Sequence, residues 1–349
     1  MGIMGEETVE CLIREAYRLV ESRGFVSFAF QGGEPLLAGL DFFRRFTERA
    51  RTLKPADVRL AFSIQTNGTL LNEDWVRFLR EENFLVGLSM DGFPELHNAH
   101  RVDADGKGSW NQVSKGLSLL KKAHVPVNAL CVVTAQCARS PQKAYQTLKK
   151  LGFRYIQFIA CLDPSGAARG TLPWSLEPYA YGRFLCQLFD LWFRDWEKGD
   201  YHSIRLFEDY VHLLLCEDGS TCATCGHCGS YFAVEADGSV YPCDFYALDE
   251  WLIGNLCTQP LDIIMENDTF RNFLNLGLEK PSECSSCFWG PLCAGGCKND
   301  WVQAENGIHN YYCSAFRMLF SYAGDRMVRI ARSERTLRNA RYGKETPAN

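Results

Sequence analysis

The chain has 349 residues, 46% of them hydrophobic and 23% charged, and a formal net charge of -5 at pH 7. This composition predicts a globular protein with a large core, and the lack of a long basic run argues against nucleic-acid binding. No apolar stretch approaches the ~20 residues of a membrane span, and the N-terminal residues do not resemble a signal peptide. We therefore expect a cytoplasmic protein with no nucleic-acid partner and no membrane.

Helices and strands alternate through the first half of the chain. Helical periodicity predicts a first helix over 6–23 that ends at Gly24, and Asn72 and Ser140 are expected to begin helices over 72–82 and 140–151. Segments rich in β-branched and aromatic residues predict five strands, over 25–30, 59–66, 84–89, 125–133 and 153–160. This alternation predicts parallel strands in a barrel or an open doubly wound sheet, with the functional site at their carboxyl ends.

The alternation ends after an aromatic-rich helix predicted over 178–196. We assign 1–200 to an α/β domain, 201–320 to a small cysteine-rich domain, and 321–349 to a C-terminal helix and charged tail. The middle region has short strands, glycines and paired cysteines, which predict a domain organised around bound metal.

The sixteen cysteines are the most informative residues, and eleven of them lie between Cys216 and Cys313. In a reducing compartment, cysteines are more often ligands, nucleophiles or buried residues than disulfides. Eight have spacings that suit two four-cysteine sites: Cys222, Cys228, Cys243, Cys284, Cys287, Cys293, Cys297 and Cys313. Their spacing alone leaves zinc and iron–sulfur clusters equally open.

Small polar residues follow three of the predicted strands. The loops are QGGEP after the first strand, QTNGT at the end of the second, and SMDG at the end of the third. Glycines let a ligand approach the backbone closely, and the carboxylate of Glu34 can hold an ammonium group. Each loop alone is typical of a capping turn, but together they predict a small polar ligand at the strand ends.

The motifs GGEP, QTNGTLL, SMDG and HNAHRVD, in this order before the cysteine pattern, resemble the radical S-adenosylmethionine enzymes with a C-terminal SPASM domain. Stretches such as QGGEPLLAGLDFFRR, LVGLSMDG and VYPCDFY resemble the anaerobic sulfatase-maturating enzymes in particular. The resemblance covers nearly the whole chain. It implies an α/β fold: a partial (β/α)6 radical SAM barrel lacking its first strand, followed by a small cysteine-rich SPASM domain.

The resemblance also favours two auxiliary 4Fe–4S clusters over zinc. It implies that one cluster is bound by Cys222, Cys228, Cys243 and Cys297. It implies that the other is bound by Cys284, Cys287, Cys293 and Cys313. Cys225 is expected to be a free thiol near the first cluster or an alternative ligand to Cys222, and Cys216 and Cys257 are expected to be packing residues.

Matching the motifs one by one implies the remaining site residues. Those expected to bind S-adenosylmethionine are Gly33, Ser89, Arg101 and Leu162, with Glu34 near its amino group. Those expected to face the substrate are Gln31, Gln65 and Asn67. Asp244 matches the residue that accepts a proton when a cysteine or serine side chain is oxidised to an aldehyde, a reaction that also needs an electron acceptor.

One family motif is absent from the sequence. The radical-generating cluster of these enzymes is bound by three cysteines in the pattern CxxxCxxC, and the 349 residues contain no such triplet. We therefore expect that the first strand and its loop are missing, that a third cluster needs additional N-terminal sequence, and that the chain as written does not cleave S-adenosylmethionine.

The expected function is oxidation of a cysteine or serine in an unfolded sulfatase, or in another peptide substrate, to formylglycine. An electron donor such as flavodoxin or ferredoxin is the expected second partner. Two alternatives remain at this point: a radical SAM/SPASM enzyme that modifies ribosomal peptides, and a non-catalytic remnant.

Overall fold

The computed structural model describes residues 2–164, 167–305 and 307–342. The helices are α1 Glu6–Arg18, α2 Leu40–Leu53, α3 Glu73–Glu81, α4 Pro94–His100, α5 Trp110–Lys122, α6 Ala135–Ala138, α7 Pro141–Lys150, α8 Pro178–Glu197, α9 Arg205–Leu214, α10 Cys222–Cys225, α11 Leu261–Met265, α12 Asp268–Leu278, α13 Gly290–Cys293 and α14 Cys313–Tyr342. The strands are β1 Phe25–Phe30, β2 Arg59–Thr66, β3 Leu85–Ser89, β4 Val127–Val133, β5 Tyr155–Ala160, β6 Ser203–Ile204, β7 Ala233–Val234, β8 Ser239–Tyr241, β9 Gly254–Asn255, β10 Trp301–Ala304 and β11 Gly307–Asn310.

Strands β1 to β6 form a parallel sheet whose spatial order follows the chain, β1-β2-β3-β4-β5-β6. The first two strands lie at the predicted residues, and the next three begin one or two residues later than predicted. Strand β6 was not predicted, because two residues are too few to show an alternating pattern. In a parallel sheet the carboxyl ends of the strands share one edge, so the polar loops after β1, β2 and β3 lie at the same edge.

Helix α1 ends five residues earlier than predicted, at Arg18. The chain then turns at Arg23, whose φ of 62° is left-handed, and Gly24 donates its amide hydrogen to the Glu21 carbonyl in that turn. The predicted cap at Asn72 is confirmed, because its side chain accepts a 3.0 Å hydrogen bond from the Trp75 amide. A side-chain oxygen at this position satisfies one of the free amides at a helix start.

The chain divides into two compact units. The first comprises residues 1–90, 97–130 and 229–276. Its main core contains aromatic rings from β1, β2 and α2: Phe28 contacts Phe46 edge-on at 5.2 Å, and Phe62 stacks on Phe84 at the same distance. Burying each such side chain contributes roughly 1.5–3 kcal/mol, so this core holds the strands whose ends carry the polar loops.

A smaller core in the same unit attaches residues 229–276 to α1. It consists of residues from β8 to α12, Val240, Ile253, Leu256, Leu261, Ile264 and Phe270, with Cys11 and Leu12 of α1 packed against them. At the edge of this core Glu15 accepts a hydrogen bond from the Leu261 amide, and Arg18 forms an ion pair with Asp262. These contacts attach the segment that contains Asp244 to α1.

The second unit comprises residues 91–96, 131–228 and 277–349, and its core lies between helices α8, α9 and α14. Gly182 lets α14 approach α8 closely, because a Cβ atom there would lie 2.9 Å from the sulfur of Met318. Across the same contact Arg326 pairs with Asp190 at 2.7 Å and lies over the ring of Phe189. Because Cys313 is the first residue of α14, the packing of α14 on α8 fixes the position of this cysteine in the second unit.

Helix α14 begins at Cys313, earlier than the start at residue 321 predicted for the C-terminal helix. The predicted charged tail over 343–349 lies outside the described residues. The predicted domain boundaries at residues 200 and 320 stay a prediction. Among the described residues, no helix combines the length and the apolar character that crossing a membrane requires.

Candidate functional site

Four side chains of the first unit form a hydrogen-bonded group that we call the Asp244 network: Gln31, Gln65, Tyr231 and Asp244. The Gln31 amide donates to Asp244 Oδ2 at 2.7 Å, and the Gln65 amide donates to Gln31 Oε1 at 2.9 Å. The Tyr231 hydroxyl donates to Asp244 Oδ1 at 2.5 Å. The network therefore joins two predicted substrate contacts to the predicted proton acceptor.

Local structure explains why these residues meet. The register of β1 against β2 pairs Phe30 with Ile64, so the next residues, Gln31 and Gln65, lie side by side at the carboxyl ends of the strands. Asp244 begins a single 3-10 turn after the extended residue Cys243. Tyr246, at the end of this turn, packs against the rings of Trp251 and Phe273, which anchors the turn in the core of the same unit.

Burial and the neighbouring Asp244 carboxylate raise the pKa of Tyr231 far above its ordinary value. The phenol therefore stays protonated and donates to the carboxylate at any physiological pH. Burial also raises the pKa of Cys243 to about 11, and the Cys243 sulfur lies 3.4 Å from Asp244 Oδ1.

Tyr231 was not predicted from the sequence, because no motif or periodicity links it to a strand end. Its position three residues after Cys228 was the only available signal.

Glu34 lies at the centre of the first strand-end loop. Its Oε1 accepts hydrogen bonds from the Thr66 hydroxyl at 2.7 Å and the Leu36 amide at 3.1 Å, and its Oε2 accepts one from the Asn67 amide at 2.8 Å. A carboxylate has about four acceptor positions, so one remains for a further donor such as an ammonium group. Beside it, a Cβ atom on Gly33 would meet nothing within 4 Å, so space for a ligand lies over the backbone.

The other predicted ligand contacts lie in different settings. Ser89 ends β3 and is partly buried. The carbonyl of Arg101 accepts hydrogen bonds from both the amide and the hydroxyl of Ser109, each at 3.0 Å. Asn67 Oδ1 accepts from the amide and hydroxyl of Thr69, which fixes the QTNGT loop. Leu162, in the second unit, is 38% exposed in the loop after β5.

Four of the predicted cluster ligands line one cavity of about 340 Å³ in the second unit: Cys284, Cys287, Cys293 and Cys313. Residues 294–296 between two cysteine positions all have positive φ, which makes the tight turn that returns the chain after Cys293. Burial, together with the other three thiols, raises the pKa of Cys293 to about 11, so the four sulfurs lie within electrostatic reach of one another. A cationic iron–sulfur core would reverse this effect and hold all four as thiolates.

The distances between the sulfur atoms of the cavity can be compared with those that a single zinc ion requires. In a tetrahedral zinc site with Zn–S bonds of ~2.3 Å, the sulfur atoms lie about 3.8 Å apart. Within the described part of the chain, the single group of three or more ligand atoms all within 4.8 Å of one another is Asp195, Asp200 and His202. Among the described residues, no three sulfur atoms of the cavity lie within 4.8 Å of one another, so their spacing does not match a single tetrahedral zinc ion. The group at Asp195 already contains a cation, because Lys149 pairs with both aspartates.

The remaining predicted ligands are divided between the two units. Cys222, Cys228 and Cys297 lie in the second unit and Cys243 in the first. Burial raises the pKa of Cys228, and Cys222 is close enough to raise it further. Gly277 packs closely against Cys228: a Cβ atom at position 277 would lie only 2.9 Å from the Cys228 sulfur, so a larger residue there would crowd the thiol.

Three other cysteines of this region have settings of their own. The Cys225 thiol donates to the Gly219 carbonyl at 3.0 Å, which supports its interpretation as a non-ligand thiol. The prediction that Cys216 and Cys257 are packing residues was wrong, because both are exposed. Cys216 lies in the turn after α9 with a left-handed φ of 64°, and Cys257 follows the short strand β9.

Comparison with known proteins identifies the class. The family profile described as the Radical SAM superfamily matches residues 2–135, and the SPASM iron–sulfur cluster-binding domain matches residues 222–288. The chain is therefore a radical SAM protein with a SPASM domain. These two domains imply 4Fe–4S clusters and S-adenosylmethionine as cofactors.

Full-length relatives identify the family. The chain is 42% identical to a cysteine-type anaerobic sulfatase-maturating enzyme of Clostridium perfringens (strain 13 / Type A), over 95% of this chain and 89% of the relative. It is 31% identical to a serine-type enzyme of Bacteroides thetaiotaomicron, over 93% and 82%. A solved structure described as native anSMEcpe with bound AdoMet and Kp18Cys peptide superposes with a TM-score of 0.91 at 40% identity, covering 95% of this chain and 92% of the other.

The chain belongs to the anaerobic sulfatase-maturating enzymes. The family and fold class predicted from the motifs are thereby confirmed, and the protein has a sulfatase maturase-like radical SAM function.

Proposed function

We propose that this protein oxidises a cysteine side chain of an unfolded sulfatase to formylglycine, with Asp244 as the proton acceptor. The Asp244 network carries the proposal, because it connects a carboxylate to two amides at the strand ends. Identity of 42% to a cysteine-type relative, against 31% to a serine-type relative, supports cysteine over serine as the substrate residue.

The reaction removes two protons and two electrons from the side chain. One hydrogen atom leaves the β-carbon, one proton leaves the thiol, and one further electron leaves, which converts CH2–SH into a thioaldehyde; water then replaces sulfur by oxygen and releases hydrogen sulfide. When bound, S-adenosylmethionine supplies the hydrogen abstraction and an iron–sulfur cluster takes the electron. Asp244 accepts the thiol proton at its carboxylate.

The other residues of the network orient this base. Gln31 and Gln65 face the substrate, and Gln31 also holds Asp244 Oδ2. Tyr231 holds Asp244 Oδ1 and remains protonated, so it positions the carboxylate without competing for the proton. Asn67 faces the substrate from the neighbouring loop.

S-adenosylmethionine is bound by residues of the strand-end loops. Glu34 accepts from its amino group with the one acceptor position left free, and Gly33 leaves the backbone accessible. The remaining contacts of this set are Ser89, Arg101 and Leu162.

Two auxiliary 4Fe–4S clusters, when bound, would supply an acceptor for the electron. One is held by the four thiolates of the 340 Å³ cavity. The other is held by Cys222, Cys228, Cys243 and Cys297. A flavodoxin or ferredoxin exchanges electrons with the protein in the cytoplasm, where cysteines stay reduced. The exposure of Phe288, 84%, beside Cys287 supports this exchange, because the cavity lies close to the surface.

The test compares D244N with D249N, a change of an exposed aspartate five residues further along. Because the sequence has no CxxxCxxC triplet, turnover is measured in protein with a triplet-bearing segment joined at the N-terminus, and the chain as written is the negative control. The substrate is a synthetic peptide with one cysteine, and mass spectrometry detects the replacement of CH2–SH by CHO.

Removing a general base typically costs 10²–10⁴-fold in rate, so D244N should lose turnover by about that factor, with its iron content and peptide affinity unchanged. D249N should retain full activity. Full turnover by D244N would refute the assignment of the base, and absence of any aldehyde product with the otherwise unsubstituted, triplet-bearing protein would refute the proposed reaction.

A further inference from the structure

Two cysteines outside both predicted ligand sets lie side by side in the first unit. Cys11 is partly buried on α1, and Cys257 is exposed just after β9. The two thiols are near enough for Cys257 to raise the pKa of Cys11. The Cys257 sulfur also donates to the Thr8 hydroxyl at 3.7 Å, and Thr8 and Cys11 share one face of the helix because they are three residues apart.

The contact does not depend on the thiols themselves. Cys11 and Leu12 pack against the smaller core, to which Leu256 also belongs. The Leu261 amide donates to Glu15 at 2.7 Å, one turn further along α1 from Cys11. The packing of the two segments thus holds the sulfurs together in the reduced protein.

We propose that Cys11 and Cys257 form a reversible disulfide that ties α1 to the segment carrying Asp244. The oxidant is a low-molecular-weight disulfide such as glutathione disulfide. The Cys257 thiolate attacks it, forms a mixed disulfide and releases one glutathione thiolate. Cys11 then loses its proton, attacks the Cys257 sulfur and releases the second glutathione, so two electrons and two protons leave the cysteine pair.

The different surroundings of the two thiols set this order. Cys257 is reached first because it is exposed, whereas Cys11 is shielded by the core. Burial and the adjacent Cys257 raise the pKa of Cys11, so it stays a thiol until the mixed disulfide forms beside it. Cys216, the other exposed cysteine, lies in the second unit and serves as the matched control.

The experiment uses the cluster-loaded protein under anaerobic conditions. It is incubated with glutathione disulfide, alkylated with N-ethylmaleimide, and mapped by peptide mass spectrometry, with iron counted before and after. The expected product is one cross-linked peptide pair containing Cys11 and Cys257, a loss of two alkylatable thiols, unchanged iron and reversal by dithiothreitol.

Two variants sharpen the result. In C11S the mixed disulfide cannot be resolved, so Cys257 should keep a stable glutathione adduct; C216S should leave the cross-linked pair unchanged. The proposal is wrong if the unsubstituted protein carries glutathione on Cys257 while Cys11 remains alkylatable, or if neither cysteine reacts under conditions that modify Cys216. The unsubstituted protein decides the question even if C11S does not fold.

Discussion

The side-chain amide of Gln31 donates a 2.7 Å hydrogen bond to Asp244, a residue 213 positions further along the chain. Since an ionised carboxylate only accepts hydrogen bonds, the NH2 group of Gln31 must face Asp244, and its Oε1 is left to accept from Gln65. One neutral side chain thus aligns the base with the strand-end residues that face the substrate.

In the protein that carries the CxxxCxxC segment, changing Gln31 to leucine should lower turnover by about tenfold while the iron content stays the same, because the Asp244 carboxylate loses one of the donors that orient it. A double-mutant cycle measures the coupling: Q31L should slow the enzyme when Asp244 is present and have little further effect in D244N. Q136L, a change of an exposed glutamine on α6, is the control. Additive effects of Q31L and D244N would show that the two side chains act independently.

Changing Glu34 to glutamine should lower the free energy of unfolding by about 1–3 kcal/mol. The Thr66 hydroxyl and the Asn67 amide each donate to one carboxylate oxygen, and the NH2 group of glutamine would replace one of these acceptors with a donor. T66V removes one donor and should cost less, about 1 kcal/mol. The midpoint of anaerobic urea unfolding measures both, and E48Q, at an exposed position on α2, is the control. An unchanged midpoint in E34Q would mean that the Glu34 carboxylate does not stabilise the folded loop and that its role is limited to binding S-adenosylmethionine.

Local patterns were sufficient for the main strands. The alternating aromatic and β-branched residues of β1 and β2 predicted both strands to the residue, and Asn72 predicted a helix start that its hydrogen bond to Trp75 confirms. Strand β6 has two residues and depends on pairing with β5, so it has no local signal. The end of α1 was also missed, because helical periodicity continues past Arg18 although the chain turns at Arg23.

The site was only partly predictable, because its contacts join distant parts of the chain. The motifs placed Gln31 and Gln65 at one edge of the sheet but gave no reason for Asp244 to reach them. The position of Tyr231 three residues after Cys228 did not indicate its contact with Asp244. The error on Cys257 has the same origin, because its neighbour Cys11 lies 246 positions away in the sequence.

Iron content separates the two ligand sets. The unsubstituted chain should bind about eight iron atoms, four in each cluster. C293A removes a ligand of the cavity and should leave about four, whereas C225S should keep about eight, because the Cys225 thiol is hydrogen-bonded to a backbone carbonyl. Loss of about four iron atoms in C225S would make Cys225 a ligand in place of Cys222.

The ion pair between Glu10 and Arg49 should make stability depend on pH at the acid end. Arg49 contacts both carboxylate oxygens, at 2.5 and 2.6 Å, and this guanidinium holds the pKa of Glu10 at about 2, below its ordinary value of 4.5. The unfolded chain therefore binds a proton more readily between these values, so the stabilisation is complete above pH 4.5 and is lost as the pH falls towards 2.

E10Q should accordingly lower the free energy of unfolding at pH 7 by about 1 kcal/mol, a value reduced by solvent screening of this partly exposed pair, and the deficit should be smaller at pH 4. Urea unfolding followed by circular dichroism at the two pH values measures the difference. E7Q, an exposed change in the first turn of the same helix, should show no comparable dependence on pH. An E10Q deficit of equal size at both pH values would mean that Glu10 stabilises α1 through packing of its side chain and not through its charge.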